Sequence, residues 1–273
     1  LSDRVPEDVQ SHLPELRLIA NYAVGYNNLP VKSCLEKGIW VCHTPDVLTD
    51  TTADLTWALI LGAARHLAPG DRLMRQGGFE GWGLDLFLGK ELRGQVLGIV
   101  GMGRIGQAVA RRADGFGMHV VYAHPREIPE LKDSCWEHLS LDALLARADV
   151  LSLHCPLTAS NRGLIGRREL DLLPQDALVI NTARGPLLDE AALAAHLRSG
   201  HLLGAGLDVY DREPLVHPDL LGLPNVLLAP HTGSATTRAR LAMGEMLLNA
   251  IDDASTGSHP CWLIPEWQKR IRA

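Results

Sequence analysis

Three glycines spaced as G-x-G-x-x-G are the clearest candidates for chemistry in this sequence. Gly101, Gly103 and Gly106 follow the apolar run Val96–Val100 and precede an alanine-rich amphipathic run. In a strand–turn–helix unit, the first glycine makes the turn, the second lets backbone approach a pyrophosphate, and the third lets the helix pack closely. The helix N-terminus adds N–H groups and a positive dipole end. The spacing predicts a dinucleotide-binding turn, with a plain strand–turn–helix as the alternative.

Three further side chains could carry acid–base chemistry and bind an anion. Arg184, Glu213 and His231 each follow an apolar run that reads as a strand. A guanidinium fork suits a carboxylate or a 2-oxo acid, and an imidazole can donate a proton near neutral pH. Glu213 could pair with His231 and favour its imidazolium form. Each residue alone also fits an ion pair, a loop histidine or a solvated carboxylate, but together they predict an active site.

The choice of dinucleotide depends on the residue about 18 positions after Gly106, where an acid commonly binds the adenosine 2′-hydroxyl. Here that position holds His124, and Arg126 follows two residues later. No carboxylate is available to repel a 2′-phosphate, and two potentially cationic groups could attract one. The sequence therefore favours NADP(H), with NAD(H) as the alternative if both side chains simply face water.

Apolar strands that alternate with helices must position these residues. We predict strands at residues 16–20, 39–41, 96–100, 119–122, 150–153, 177–180, 204–209 and 226–228. We predict helices at residues 31–37, 53–66, 141–146, 168–173, 190–197 and 237–254, with residues 49–52 as N-cap candidates and 67–93 as a glycine-rich excursion. Solidly apolar strands separated by helices indicate a parallel sheet covered on both faces, which binds ligands at the carboxyl ends of its strands.

The composition of the chain argues against several classes of function. The 273 residues suffice for two domains, and 46% hydrophobic residues with a net charge of −6 and no basic run argue against a nucleic-acid partner. No apolar stretch is long enough to span a membrane. Five cysteines without a C-x-x-C pair indicate reduced thiols in a cytoplasmic protein. The 12 histidines show no H-x-x-x-H or H-E-x-x-H spacing, so no metal site is predicted.

Several long motifs together resemble the D-isomer-specific 2-hydroxyacid dehydrogenases, most closely the glyoxylate/hydroxypyruvate reductase branch. They are NYAVGYNN, HTPDVLTDTTADLTWALIL, LRGQVLGIVGMGRIGQAVARRADGFGM, HCPLT, LVINTARGPLLDE, GAGLDVYDREPL and LAPHTGSAT. The resemblance implies an α/β fold with a doubly wound Rossmann coenzyme domain at residues 51–236. It also implies a smaller, discontinuous, flavodoxin-like substrate domain at residues 1–50 and 237–273, and a homodimer joined through the coenzyme domains. Because the chain starts beyond the family's first βαβ unit, we expect about 30–60 N-terminal residues of that domain to be absent.

The resemblance also implies a role for each matching residue. Arg184 would hold the carboxylate and carbonyl of a 2-oxo acid, His231 would be the acid/base, and Glu213 would orient it. The backbone of Val24 and Gly25 would also bind the substrate carboxylate. The implied cofactor residues are Gly101, Gly103, Arg104, Ile105 and Gly106 at the pyrophosphate, Cys155 and Pro156 on the adenosine side, and Thr182, Ala183, Asp208 and Gly233 at the nicotinamide.

The reaction implied is reduction of glyoxylate or hydroxypyruvate to the D-2-hydroxy acid with NAD(P)H. Two alternatives remain open: a dehydrogenase for another 2-hydroxy acid such as 3-phosphoglycerate, and a nucleotide-sensing, non-catalytic interaction protein of the corepressor type.

Overall fold

A computed structural model describes residues 4–272, which fall into two compact units. One unit comprises the chain up to Thr51 and from Ser234 onward, and the other comprises Thr52–Gly233. The ends of the predicted substrate domain, residues 1–3 and 273, lie outside the described residues. In chain order the elements are α1 Val9–His12, β1 Leu18–Ala20, α2 Val31–Lys37, β2 Trp40–Cys42, α3 Thr49–Ala64, α4 Leu67–Arg75, β3 Val96–Val100, α5 Arg104–Ala113, β4 His119–Ala123, β5 Glu137–His138, α6 Leu141–Leu145, β6 Val150–Leu153, α7 Arg167–Asp171, β7 Ala177–Asn181, α8 Glu190–Arg198, β8 Leu202–Leu207, α9 Pro218–Leu221, β9 Val226–Leu228, α10 Thr237–Ser255 and α11 Pro265–Arg272.

The smaller unit is built on a parallel pair of short strands. β1 pairs with β2 in the register Leu18↔Trp40. Gly38 caps the C-terminus of α2, and its φ of 74° is the left-handed conformation typical of a helix C-cap. Trp267 of α11 is buried and donates its indole N–H to the carbonyl oxygen of Ile39 at 3.0 Å. The C-terminal helix is thereby packed onto the strand pair.

The larger unit is a seven-stranded sheet in the order β5-β4-β3-β6-β7-β8-β9, with every pair parallel. One buried cluster contains Val121 and Val179, and a second contains Tyr122 and Leu178, so successive residues of a strand point to opposite covered faces. The chain runs outward from β3 to β5 and then returns to β6. This topology places the switch point at the carboxyl ends of β3 and β6, and it confirms the predicted doubly wound α/β class.

Most element bounds follow the sequence pattern, but several differ. β8 ends two residues earlier than predicted, and α3 begins at Thr49 because its first threonines are inside the helix rather than ahead of it. Helices α4, α9 and α11 and the short strand β5 were not predicted. α4 lies inside the predicted glycine-rich excursion. It was not predicted because Pro69 and Gly70 usually interrupt a helix, but here they occupy its first turn, where they are tolerated. α11 begins at Pro265. No helix among residues 4–272 is long and apolar enough to cross a bilayer.

Candidate active site

The glycine-rich turn has the shape that a pyrophosphate requires. Gly101 has a φ of 98°, and a Cβ there would lie 2.5 Å from the backbone nitrogen of Cys155. A Cβ on Gly106 would overlap the carbonyl oxygen of Gly101. Gly103, by contrast, would meet nothing within 4 Å. The first and third glycines are therefore needed for packing, while the second leaves open space beside the helix, so the residues present fit a dinucleotide phosphate.

The start of α5 and the loop after β6 border this turn. Arg104 and Ile105 form the first turn of the helix, and the N–H of Gln107 is the first to bond within it, to the carbonyl oxygen of Gly103. The N–H groups ahead of it point out of the helix end, where an anion is favoured. Cys155 and Pro156 follow β6 after His154, and the backbone of Cys155 lies against Gly101; their role on the adenosine side stays a prediction.

His124, which is predicted to contact the cofactor, directly follows β4. Its Nδ1 is buried and has no hydrogen-bond partner among the described residues. Burial, followed by the charges of His138 and Arg126, lowers the pKa of His124 below its ordinary value of 6.5. This shift opposes the charged form of the ring, and the predicted cofactor contacts of His124 and Arg126 stay predictions. Arg126 is exposed.

The loop after β7 carries Arg184 and is fixed by a buried asparagine. Asn181 donates from Nδ2 to the carbonyl oxygen of Arg184 at 2.9 Å and accepts from the N–H of Ala183 at 3.0 Å. The hydroxyl of Thr182 lies 2.9 Å from that of Thr56 in α3. Burial lowers the pKa of the Arg184 guanidinium, and Glu213 opposes that effect, so the side chain is a partly desolvated cation near this carboxylate.

Glu213 and His231 form a hydrogen-bonded pair. Nδ1 of His231 lies 2.7 Å from Oε2 of Glu213, and Oε1 of Glu213 accepts the N–H of Tyr210 at 3.1 Å. Burial would raise the pKa of Glu213, but the bonds from His231 and Tyr210 and the charges of His231 and Arg184 outweigh it, so the pKa is lowered. Glu213 is therefore ionised at neutral pH and holds Nδ1–H, which leaves Nε2 of His231 for a substrate. The structure brings together all three predicted catalytic residues.

Asp208 fixes the backbone that follows His231. Its carboxylate is 1% exposed and accepts the N–H groups of Thr232 at 2.7 Å and Gly233 at 2.8 Å. Burial is the largest influence and raises the pKa of Asp208, although these bonds act to lower it. The φ of His231 is 54°, a conformation that side-chain-bearing residues adopt only when neighbours hold them there. The predicted nicotinamide contacts of Asp208 and Gly233 stay predictions.

In the smaller unit, the loop with Val24 and Gly25 turns its carbonyl groups inward. The carbonyl oxygens of residues 23–25 accept bonds of 2.9–3.0 Å from Thr44 N–H, His43 Nδ1 and Asn21 Nδ2, respectively. Neither the N–H of Val24 nor that of Gly25 donates to a protein acceptor among the described residues. Backbone N–H groups left on the outer side of a loop are suited to an anion.

Sequence reasoning missed the residues that hold these loops. Glu190 is buried and accepts the N–H of Asp211 at 2.8 Å. Tyr210 bonds to Glu213 within its own loop and to Ala229 in the neighbouring loop. Asn181 had a usable signal, because a buried asparagine at a strand end often bonds its own turn. Tyr210 had none, since its partners are set by tertiary packing. No group of histidine, cysteine and acidic residues within residues 4–272 could hold a metal ion.

Comparisons with known proteins point to one family. A family model described as "D-isomer specific 2-hydroxyacid dehydrogenase, NAD binding domain" matches residues 57–233. A glyoxylate reductase of Thermococcus litoralis is 43% identical over 269 residues, which cover 97% of this chain and 81% of that protein. The solved glyoxylate reductase from Paecilomyes thermophila has a TM-score of 0.86 at 36% identity, covering 96% of this chain and 77% of the other. An NADPH-dependent glyoxylate/hydroxypyruvate reductase from Sinorhizobium meliloti, solved with NADP and malonate, has a TM-score of 0.89 at 33% identity and covers 97% and 82%.

Proposed function

The chain belongs to the D-isomer-specific 2-hydroxyacid dehydrogenase family, and from that premise we propose that it reduces glyoxylate or hydroxypyruvate to the D-2-hydroxy acid with a nicotinamide cofactor. The observation that carries the proposal is the 2.7 Å contact between His231 and Glu213, with Arg184 acting electrostatically on the same carboxylate. Reduction of a 2-oxo acid needs a proton donor and a cation for the substrate's negative charge, and this arrangement supplies both.

Each residue of the trio has a separate task in the proposed mechanism. Arg184 binds the substrate carboxylate and carbonyl and neutralises charge that develops on the carbonyl oxygen. His231 donates a proton to that oxygen from Nε2, while Glu213 retains the hydrogen on Nδ1 and stabilises the imidazolium. A bound dihydronicotinamide would supply the hydride. The N–H groups of Val24 and Gly25 are proposed as a further contact for the carboxylate.

The proposed cofactor is NADP(H), with NAD(H) as the competing choice. The pyrophosphate would lie at Gly103 and the start of α5, and the adenosine beside Cys155. Support for the 2′-phosphate comes from the guanidinium of Arg126 and from the absence of a carboxylate at His124. The lowered pKa of His124 disfavours a charged ring, so Arg126 is the main cationic support for this preference. The Sinorhizobium meliloti relative is NADPH-dependent.

Assembly and location are further parts of the proposal. We propose that unit Thr52–Gly233 is the coenzyme domain and joins two copies into a homodimer, and that the remaining residues form the substrate domain. The segment 79–88 supports a dimer because it exposes Trp82 and Leu84 by 83% and 81%, an unusual state for large apolar side chains. All five cysteines are free thiols, which supports a cytoplasmic location.

Initial rates test the proposal. NADPH and NADH oxidation would be followed with glyoxylate, hydroxypyruvate and pyruvate for the wild type and for His231→Ala. We expect turnover with glyoxylate or hydroxypyruvate and a loss of at least about 100-fold in His231→Ala, because the proton donor is removed. His119→Ala, at an exposed histidine of the same sheet, should keep wild-type rates. The proposal fails if no substrate is reduced or if His231→Ala is as active as the wild type.

A further inference from the structure

Three separate loops must be held together for the catalytic trio to keep its geometry. Arg184 follows β7, Glu213 follows β8, and His231 follows β9. Loops at strand ends are the more mobile parts of a fold, so a short contact between two of them needs a fixed reference. Tyr210 lies against all three loops, and neither the sequence motifs nor the family comparison assigns it a role.

Tyr210 lies in the loop after β8, where its hydroxyl is 3.3 Å from the carbonyl oxygen of Leu207, and its other contacts reach residues of all three loops. Its N–H donates to Oε1 of Glu213 at 3.1 Å. Its hydroxyl donates to the carbonyl oxygen of Ala229 at 2.8 Å, two residues before His231. Its backbone carbonyl group lies so close to Gly185 that a Cβ on that glycine would overlap it, and Gly185 directly follows Arg184.

The environment keeps the phenol a hydrogen-bond donor. Tyr210 is 7% exposed, and burial together with the carboxylates of Asp208, Glu190 and Glu213 raises its pKa to about 12. The O–H hydrogen is therefore present throughout the pH range in which histidine titrates. The left-handed backbone of His231 is consequently restrained on both sides, by Tyr210 at Ala229 and by Asp208 after it.

We propose that Tyr210 is a positioning residue for the Glu213–His231 pair. Its hydroxyl fixes the approach of the chain to His231, its N–H fixes the carboxylate of Glu213, and the two together set the 2.7 Å contact. Tyr210 is not proposed to touch substrate or cofactor. The inference rests on the proposed function only for what the positioned pair then does.

A double-mutant cycle separates positioning from general support of the fold. Tyr210→Phe removes only the hydroxyl, and we expect kcat/KM to fall about tenfold, mainly in kcat, with the cofactor KM changed by less than about twofold. In a Glu213→Gln background the same change should lower kcat/KM by less than about threefold, because the positioned carboxylate is already gone. Tyr122→Phe, a buried tyrosine in β4, should have no effect. Equal losses in both backgrounds would overturn the proposal.

A carboxyl titration tests the same idea without turnover. With 13C at the glutamate carboxyls, and Glu213→Gln to assign the resonance, Tyr210→Phe should move the Glu213 midpoint upward toward its ordinary value, and Tyr122→Phe should not. An unmoved midpoint overturns the positioning role even in a protein that reduces 2-oxo acids. A moved midpoint in a protein that reduces none of them supports the positioning role and refutes the proposed function instead.

Discussion

His231 uses Nδ1 to bond Glu213, so Nε2 is the nitrogen that remains for the proposed proton transfer to a substrate oxygen. The carboxylate is 21% exposed, and water therefore screens it only in part. Burial acts to raise its pKa, but the hydrogen bonds from His231 and Tyr210 and the electrostatic effects of His231 and Arg184 outweigh burial and lower it. The chemistry of the trio depends on that charge, because a neutral partner would not favour the imidazolium.

Glu213→Gln should change how stability responds to acid. The pKa of Glu213 is lower in the folded protein than the ordinary 4.5, so its ionisation stabilises the fold above pH 4.5, and that contribution is lost as the pH falls through the lowered pKa. Denaturant unfolding from pH 7 to pH 3 should therefore show a gap between wild type and Glu213→Gln that narrows on acidification. Glu80→Gln, at an exposed position, should show no such change. A gap that stays constant across the range would contradict the assigned ionisation.

Two substitutions test the cofactor preference. Arg126→Ala should lower kcat/KM with NADPH by about 10- to 100-fold and leave NADH nearly unaffected, because a charge-assisted bond to the 2′-phosphate is lost. His124→Asp should shift the preference toward NADH, since a carboxylate repels the phosphate and can bind a 2′-hydroxyl. Arg111→Ala, at an exposed arginine of α5, serves as the control. Equal kcat/KM values for NADPH and NADH in the wild type would refute the NADP(H) assignment.

The carboxyl ends of β7, β8 and β9 form one connected edge. Backbone and side-chain bonds join the loops to one another, as when Asp208 binds the residues after His231 and Glu190 binds Asp211. The closest approach is between Gly185 and Tyr210, where no side-chain atom fits. The edge behaves as a unit, and a change in one loop should therefore reach the others.

Gly185→Ala tests this close approach. We expect a loss of about 1–3 kcal/mol or more in the free energy of unfolding, together with a lower kcat, because the added methyl group must push Arg184 or Tyr210 aside. The matched control is Gly70→Ala in α4, where a Cβ meets nothing within 4 Å and the helix should gain about 0.5–1 kcal/mol. Chemical denaturation measures both. A Gly185→Ala protein as stable and active as the wild type would show that the loops move independently.

Elements stabilised by a local sequence pattern were predicted correctly, whereas elements and side chains whose partners are distant in the sequence were not. The strands at 96–100, 150–153 and 226–228 were predicted at their observed bounds, because buried parallel strands are solidly apolar. The start of α3 was predicted too late because its first threonines were interpreted as N-cap residues. Within the helix, the hydroxyl of Thr52 donates a hydrogen bond to the carbonyl oxygen of Gly233, and the hydroxyl of Thr56 bonds to that of Thr182. Such partners are remote in sequence, and so is Ala229, which accepts the hydroxyl of Tyr210, so no local pattern could have revealed them.

The larger unit covers both faces of its sheet, but its segment 79–88 exposes large apolar side chains to solvent. Trp82 and Leu84 lie in the segment 79–88, between α4 and β3, and belong to neither buried cluster of the unit. A monomer gains nothing from exposing them, whereas a second copy could cover them.

Light scattering after size exclusion tests the homodimer. The wild type should have twice the mass of one chain, and Trp82→Asp with Leu84→Asp should shift it to the monomer, because buried carboxylates at an interface are costly. Leu248→Asp places the same charge at a leucine of α10 that is 67% exposed, and it should leave the mass unchanged. A monomeric wild type, or a double variant that stays dimeric, would contradict the proposed interface.

We propose that Arg184, Glu213 and His231 orient a 2-oxo acid so that the hydride reaches only one face of its 2-carbon. The most direct measurement uses hydroxypyruvate, whose reduced carbon becomes a stereocentre, with NADPH carrying deuterium at the transferable C4 position. We expect the wild type to form D-glycerate with one deuterium at C2, and His231→Ala to lose this product. Glycerate of the L configuration, or D-glycerate without the label, would contradict it.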